Sequence, residues 1–137
     1  MSILSQKVMY ALKALFVMNQ QPVGIPIQVK EIANQTQLSI KYLEVVFSGL
    51  KKAGIVQSLR GSRGGYVLIK PLELIYLDDI MEVFEGPLKV LPDGEKVSGL
   101  SGFFDQQIVD IRALFRVTLK ELWSYQQKAA SVLSYSI

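Results

Sequence analysis

Two arginines on a glycine-rich turn, Arg60-Gly61-Ser62-Arg63-Gly64-Gly65, carry the most specific chemistry in this chain. A guanidinium offers a planar fork of N–H donors that suits phosphate, and glycine lets a tight turn take positive φ. A nucleotide-cradling loop would need a Gly-Lys-Ser/Thr ending and a helix after it, and both are missing. Instead, Ile55-Val56-Gln57-Ser58-Leu59 alternates before the turn and Tyr66-Val67-Leu68-Ile69 returns after it, which makes the turn a hairpin tip. A second basic surface lies upstream. At about 100° per residue, Leu43, Val46, Phe47 and Leu50 share one helix face. Lys41, Val45, Ser48 and Lys52 then fall opposite, with Glu44 at the edge. That face is either simply solvated or made to read an anion. Asp78, Asp79, Glu82 and Glu85 could in principle do carboxylate acid–base chemistry. On a short helix they fall largely outward, as solvated acids do.

The missing residue types narrow the chemistry further. The chain of 137 residues has no cysteine and no histidine. Disulfides, thiolate nucleophiles and thiolate-held zinc or iron–sulfur centres are excluded, and the usual general base and commonest metal ligand are absent. No metal site and no cofactor are expected, and an enzyme is disfavoured. The net charge of +3 hides an asymmetry. Residues 1–70 hold nine basic against two acidic residues, net +7, whereas residues 71–137 hold six against ten, net −4. A basic half joined to an acidic half points to nucleic acid or another anionic surface. Half of the residues are apolar and 20% charged, with a mean hydropathy of +0.28, so a folded domain is expected rather than a disordered chain. No apolar run approaches the roughly 18 residues of a membrane helix, and no export leader is visible. The expectation is a cytoplasmic protein with no membrane partner.

These groups need elements to hold them. Residues 5–19 read as a helix capped by Ser5, with Val8, Leu12, Leu15 and Met18 as its apolar stripe. Gln20 to Gly24 turns the chain, and Ile25-Pro26-Ile27 is a short extended piece. A short helix over 29–35 follows, with Glu31 three residues after Gln28 in an imperfect capping box. Ser39 caps a third helix over 40–53, which Gly54 stops. Three short helices and a hairpin tipped with arginines form the winged helix-turn-helix order. In it the second helix of the pair enters a major groove, and the wing reaches the backbone or the adjacent minor groove. A further helix runs from Tyr76 to Phe84 with Ile80, Val83 and Phe84 inward, and residues 88–102 form a loop. From Phe103 a long helix is expected. Phe104, Ile108, Ile111, Phe115, Thr118 and Leu122 make a heptad seam along it, widened by Leu114, Val117 and Trp123. A second copy is the economical cover for that seam, and folding back on its own domain is the alternative.

At this point the chain resembles the Rrf-two-type family of bacterial winged-helix transcription regulators. Ser5-Gln6-Lys7 and Tyr10-Ala11-Leu12-Lys13-Ala14-Leu15 are similar to the family's opening helix, and Lys30-Glu31-Ile32-Ala33 to its second. Ser39-Ile40-Lys41-Tyr42-Leu43-Glu44 resembles the start of its recognition helix. Leu50-Lys51-Lys52-Ala53-Gly54-Ile55-Val56 and Arg60 to Tyr66 resemble the wing. Asp79-Ile80, Glu85-Gly86-Pro87-Leu88 and Leu122-Trp123 continue the likeness. The resemblance implies a mostly α protein with a small β-wing. Residues 1–87 would form a winged helix-turn-helix DNA-binding domain, residues 88–102 a loop, and residues 103–137 a dimerisation helix. It implies a homodimer on a partly palindromic double-stranded operator, acting as a repressor. Ser39, Lys41, Tyr42, Glu44, Ser48 and Lys52 would lie in or beside the major groove. Arg60, Ser62 and Arg63 would serve the wing, and Ser5 and Lys7 would touch phosphate. Glu44, an acid on a basic surface, would meet a cytosine amino group, unless it merely pairs with Lys41 or Lys51.

The chain also departs from the family. Several members hold a [2Fe–2S] cluster through three cysteines in the loop after Glu-Gly-Pro-Leu, and residues 88–104 here have none. A cluster-free member is therefore expected. Val8 and Met9 replace a frequent Gly and Arg in the first helix, which removes one expected backbone contact. Some members receive their signal through a partner enzyme, so an effector or protein partner is left open. The competing reading is a winged-helix protein-interaction module whose seam binds a different protein.

Overall fold

The computed structural model describes residues 1–136, with side chains through Leu133. Helix α1 (Gln6–Asn19) starts where Ser5 Oγ accepts the Val8 backbone N–H at 3.2 Å. Its stripe of Val8, Leu12, Leu15 and Met18 is buried, joined by Ala11 and Ala14. Helix α2 (Val29–Thr36) has no side-chain cap, as Gln28 at its start suggests. It ends at Gln37, which adopts a left-handed φ of 60° while its amide donates to the Asn34 carbonyl at 2.8 Å. Helix α3 (Ile40–Lys52) is capped by Ser39 Oγ, which accepts the Tyr42 N–H at 3.2 Å. Leu43, Val46, Phe47 and Leu50 are its buried face, the four residues that periodicity selects. The three helices pack on one another around a core completed by Ile32, Ile55, Val56 and Ile80.

Strands β1 (Val56–Leu59) and β2 (Gly65–Leu68) pair antiparallel, in a register from Val56 opposite Leu68 to Leu59 opposite Gly65. Ile27 extends this wing by exchanging both backbone hydrogen bonds with Tyr66, at 2.9 and 2.8 Å. The paired glycines of the turn have a structural reason. A Cβ on Gly64 would lie 2.4 Å from the Leu59 carbonyl oxygen, and one on Gly65 the same distance from that of Ile27.

Helix α4 (Leu77–Glu85) buries Leu77 and Ile80, and a 3₁₀ turn (Leu72–Leu74) leads into it. Two expectations for α4 are corrected. Val83 is exposed rather than inward. Asp78 is not a solvated acid but is 6% exposed, because two arginines from the C-terminal region meet it.

The expected helix from Phe103 is two helices, α5 (Ser101–Phe115) and α6 (Leu119–Ser136), while Ile137 lies outside the described residues. One local and two tertiary hydrogen bonds break it at 116–118. Thr118 Oγ1 accepts the Glu121 N–H at 3.1 Å, making Thr118-Leu119-Lys120-Glu121 a helix start of capping-box type. The Leu77 N–H donates to the Val117 carbonyl at 2.9 Å, and the Leu119 N–H to that of Ile75 at 2.8 Å. Leu119 is then fully buried. The heptad seam is therefore not continuous: Thr118 sits in the break, and Leu122 packs on the core of its own chain. Trp123 does the same, its ring 5.4 Å from that of Phe16. Helix α6 thus returns to its own domain in part, whereas α5 has no fully buried residue and of its seam residues only Phe115, on the last turn, packs on that core.

Candidate nucleic-acid interface

The α3 face opposite the core carries Lys41, Tyr42, Glu44, Ser48 and Lys52, all exposed. Val45 lies exposed among them. Tyr42 is braced edge-on against Tyr10 of α1, with centroids 5.7 Å apart. Arg60, Ser62 and Arg63 are exposed at the wing tip, and Lys7 is exposed on the first turn of α1. Among the described residues none of Lys7, Lys41, Lys52, Arg60, Arg63 or Glu44 forms an ion pair. The pairing of Glu44 with Lys41 or Lys51 is therefore not found. The cations remain available to an external anion, and the lone carboxylate sits unneutralised among them.

Ser5 and Ser39 are already engaged as helix caps, but each hydroxyl accepts only, leaving its O–H free to donate. Both lie where the positive end of a helix favours an anion. The wing is fixed relative to α3 by Phe47, whose ring stacks on Tyr66 at 4.4 Å and 15°. This stacking joins the wing to α3 alongside the Ile55 N–H bond to the Leu50 carbonyl at 3.0 Å. The sequence motifs bring these groups together on the basic half of the chain.

The acidic half uses its charges internally. Arg116 Nη1 donates to Asp78 Oδ1 at 3.0 Å and lies 2.9 Å from Asp79 Oδ1. Its guanidinium carbon stands 3.8 Å over the Tyr76 ring. Burial alone would lower the Arg116 pKa, but the hydrogen bonds and charges of Asp78 and Asp79 outweigh this and raise it. Arg112, one turn earlier, is 3.7 Å from Asp78 and 3.6 Å from Glu82. These carboxylates are partners in an ion-pair network, which suits a joint better than a general acid. Its residues are up to 38 positions apart, so no local pattern announces it. The Thr118 cap, by contrast, was readable as a Thr-x-x-Glu motif.

The loop over residues 88–102 offers only Asp93 and Glu95 as charged oxygen donors, and Asp93 pairs with Lys89. Among the described residues no group of three His, Cys, Asp or Glu could hold a metal. A sulfur-ligated iron centre does not fit this donor set. A cleft of about 460 Å³ lies between the N-terminal segment, α4 and α5, lined by residues including Ile3, Ser5, Met81, Ile111 and Arg112.

A family model described as an iron-dependent transcriptional regulator, Rrf2, matches residues 4–124. The chain belongs to the Rrf2 family. Among Rrf2 relatives, the regulator IscR of Cereibacter sphaeroides is 35% identical over 98 residues, covering 70% of this chain and 63% of that protein. CymR of Bacillus subtilis is 45% identical over 73 residues, 51% of this chain and 53% of that one. The matches thus span less than two thirds of these two relatives. The solved structure of B. subtilis CymR, described as a global cysteine regulator, superposes with a TM-score of 0.74 at 31% identity, covering 91% of this chain and 98% of that one. The structure of T. potens IscR gives the same score and identity, over 93% and 90%. The fold is the Rrf2 winged helix, mostly α with a two-stranded wing. The Rrf2 relatives are named transcriptional regulators, and the family is not enzymatic. No helix among the described residues is long and apolar enough to cross a membrane.

Proposed function

We propose that this Rrf2 chain is a homodimeric, sequence-specific DNA-binding repressor that works in the cytoplasm without an iron–sulfur cluster. The observation that carries the reading is the exposed, unpaired basic face of α3 beside an arginine-tipped wing. Lys41, Tyr42, Glu44, Ser48 and Lys52 enter or border a major groove, with Ser39 at the mouth of the helix. Arg60, Ser62 and Arg63 follow the wing onto the backbone or the adjacent minor groove, and Ser5 and Lys7 hold phosphate. Phe104, Ile108, Ile111 and Phe115 of α5 form the dimer seam; Thr118 and Leu122 support it from the joint and the monomer core. A partly palindromic operator follows from two-fold symmetry, and occupancy of a promoter would block transcription. The absence of thiol and imidazole donors supports cluster-free action. The cleft beside Arg112 is the place for a small effector, and the loop at 88–102 for a protein partner.

Glu44 supplies the test of sequence reading. An acid facing a polyanion is repelled unless it accepts from a base. Of the two major-groove amino donors, the cytosine N4, with no acceptor N7 beside it on the same base, is the one that suits a carboxylate. Glu44→Ala is expected to lower discrimination at one base pair per half-site by about tenfold or more, from a contact of roughly 1–3 kcal/mol. Affinity for random duplex should not fall, because a repulsive charge is removed. Competition binding with single-base operator variants measures this. An unchanged preference at every position would remove Glu44 from the readout.

A further inference from the structure

No side chain of helix α5 is fully buried, and Phe115 on its last turn packs on the core, so apolar packing anchors that end of the helix. The remaining contacts that set its direction relative to the recognition helix can be followed. Gly49 of α3 is where Phe84 of α4 nests, close enough that a Cβ on Gly49 would lie 2.6 Å from Phe84 Cε1. At the other end of α4, Asp78 is buried and accepts from Arg116 at 3.0 Å, while Asp79 holds the same Nη1 at 2.9 Å. The Tyr76 ring lies under that guanidinium, and the backbone bridge of Tyr76 with Thr118 closes the joint. Arg112 adds a looser hold one turn up α5, 3.6 Å from Glu82 and 3.7 Å from Asp78. A continuous set of contacts therefore runs from α3 through α4 to the end of α5. One link is apolar and close-packed, the other a fork of charge-assisted contacts with a ring beneath it.

We infer that the Asp78–Arg116 joint, with Arg112, determines which spacing between operator half-sites this protein accepts. The inference rests on the proposed DNA-binding dimer, in which the two α5 helices form the axis. With α5 as that axis, the angle between α5 and α3 sets how far apart, and at what rotation, the two recognition helices meet the duplex. One extra base pair between half-sites turns one of them by about 34° and moves it by about 3.4 Å. A stiff joint rejects that change and a loose one tolerates it. Asp78, Arg112 and Arg116 are thus positioning residues that touch no DNA.

The test uses the full chain and duplexes carrying the selected operator with the spacer lengthened or shortened by one and two base pairs. Wild-type protein is expected to prefer one spacer clearly. In Asp78→Asn/Arg116→Gln the neutral amide pair leaves no buried charge uncompensated, so the fold is kept. That variant is expected to flatten the preference by about tenfold, roughly one step on the affinity scale. Affinity for a single half-site, its salt dependence and the dimer constant should stay at wild-type values, which a merely destabilising change would not achieve. Arg112→Gln, at a half-exposed side chain, gives a smaller shift in the same direction and serves if the double variant fails to fold. A folded variant with the wild-type spacer profile overturns the inference. A wild-type chain that is monomeric, or that binds no duplex, instead overturns the proposed function beneath it.

Discussion

Arg60→Ala/Arg63→Ala is expected to lower affinity for operator DNA by about two orders of magnitude at moderate salt. Each guanidinium is exposed at the wing tip and has no ion-pair partner among the described residues. A hydrogen bond to a charged group contributes roughly 1.5–3 kcal/mol, so two such contacts give about a hundredfold even at the low end. The salt dependence should change in parallel. Each phosphate neutralised contributes about 0.9 to the slope of log affinity against log salt, so the slope should become shallower by about 1.8. Thermal stability should be nearly unchanged, because neither side chain packs on anything and exposed substitutions usually stay within about 0.5 kcal/mol. Anisotropy titrations at several salt concentrations measure both quantities. Wild-type affinity and slope in the double variant would remove the wing from the interface.

Ile108→Glu should convert the dimer to monomer at micromolar concentration and, with it, weaken operator binding by more than a hundredfold. The residue lies on the seam of α5, a helix with no fully buried side chain, and unlike Phe115 it is not among the residues packed on the monomer core. Burial of an isoleucine gives about 1.5–3 kcal/mol, and a two-fold interface counts each substitution twice. Placing two carboxylates in that seam adds repulsion to the lost burial. The winged domain should keep its circular dichroism and melting temperature, since Leu119 and Trp123 hold α6 independently of this position. Sedimentation velocity distinguishes the outcomes. A wild-type chain that is already monomeric would instead favour a different protein as the cover of α5. Val109 and Leu114, both well exposed on this helix, would then line that interface.

What the sequence made legible follows the range of the interactions involved. Local signals were readable: Ser5 and Ser39 as caps, the stripe from Leu43 to Leu50, and the hairpin around Arg60 to Gly65 all stand where pattern and turn chemistry put them. The basic face of α3 was readable too, because burying four apolar residues at helical spacing leaves only one direction for Lys41, Ser48 and Lys52. The end of the chain was read too simply. A heptad count continued through Thr118, although Thr118-Leu119-Lys120-Glu121 is itself a helix start, and tertiary bonds to Ile75 and Leu77 enforce the break. Asp78 was misplaced for a related reason. Helix geometry gives the direction of a side chain, but not that arginines from 34 and 38 positions downstream will meet it there. The nesting of Phe84 on Gly49 has no sequence signal at all, since a glycine inside a helix also reads as tolerated.

In the proposed dimer this basic face and wing read a DNA sequence as a symmetric pair. The decisive experiment selects bound duplexes from a random pool with the purified chain and sequences them. The predicted result is one enriched, partly palindromic motif with half-sites centred about one helical turn, roughly 10 bp, apart or a multiple of it. Recovery of duplexes with no shared sequence, or of no duplex at all at moderate salt, would contradict it.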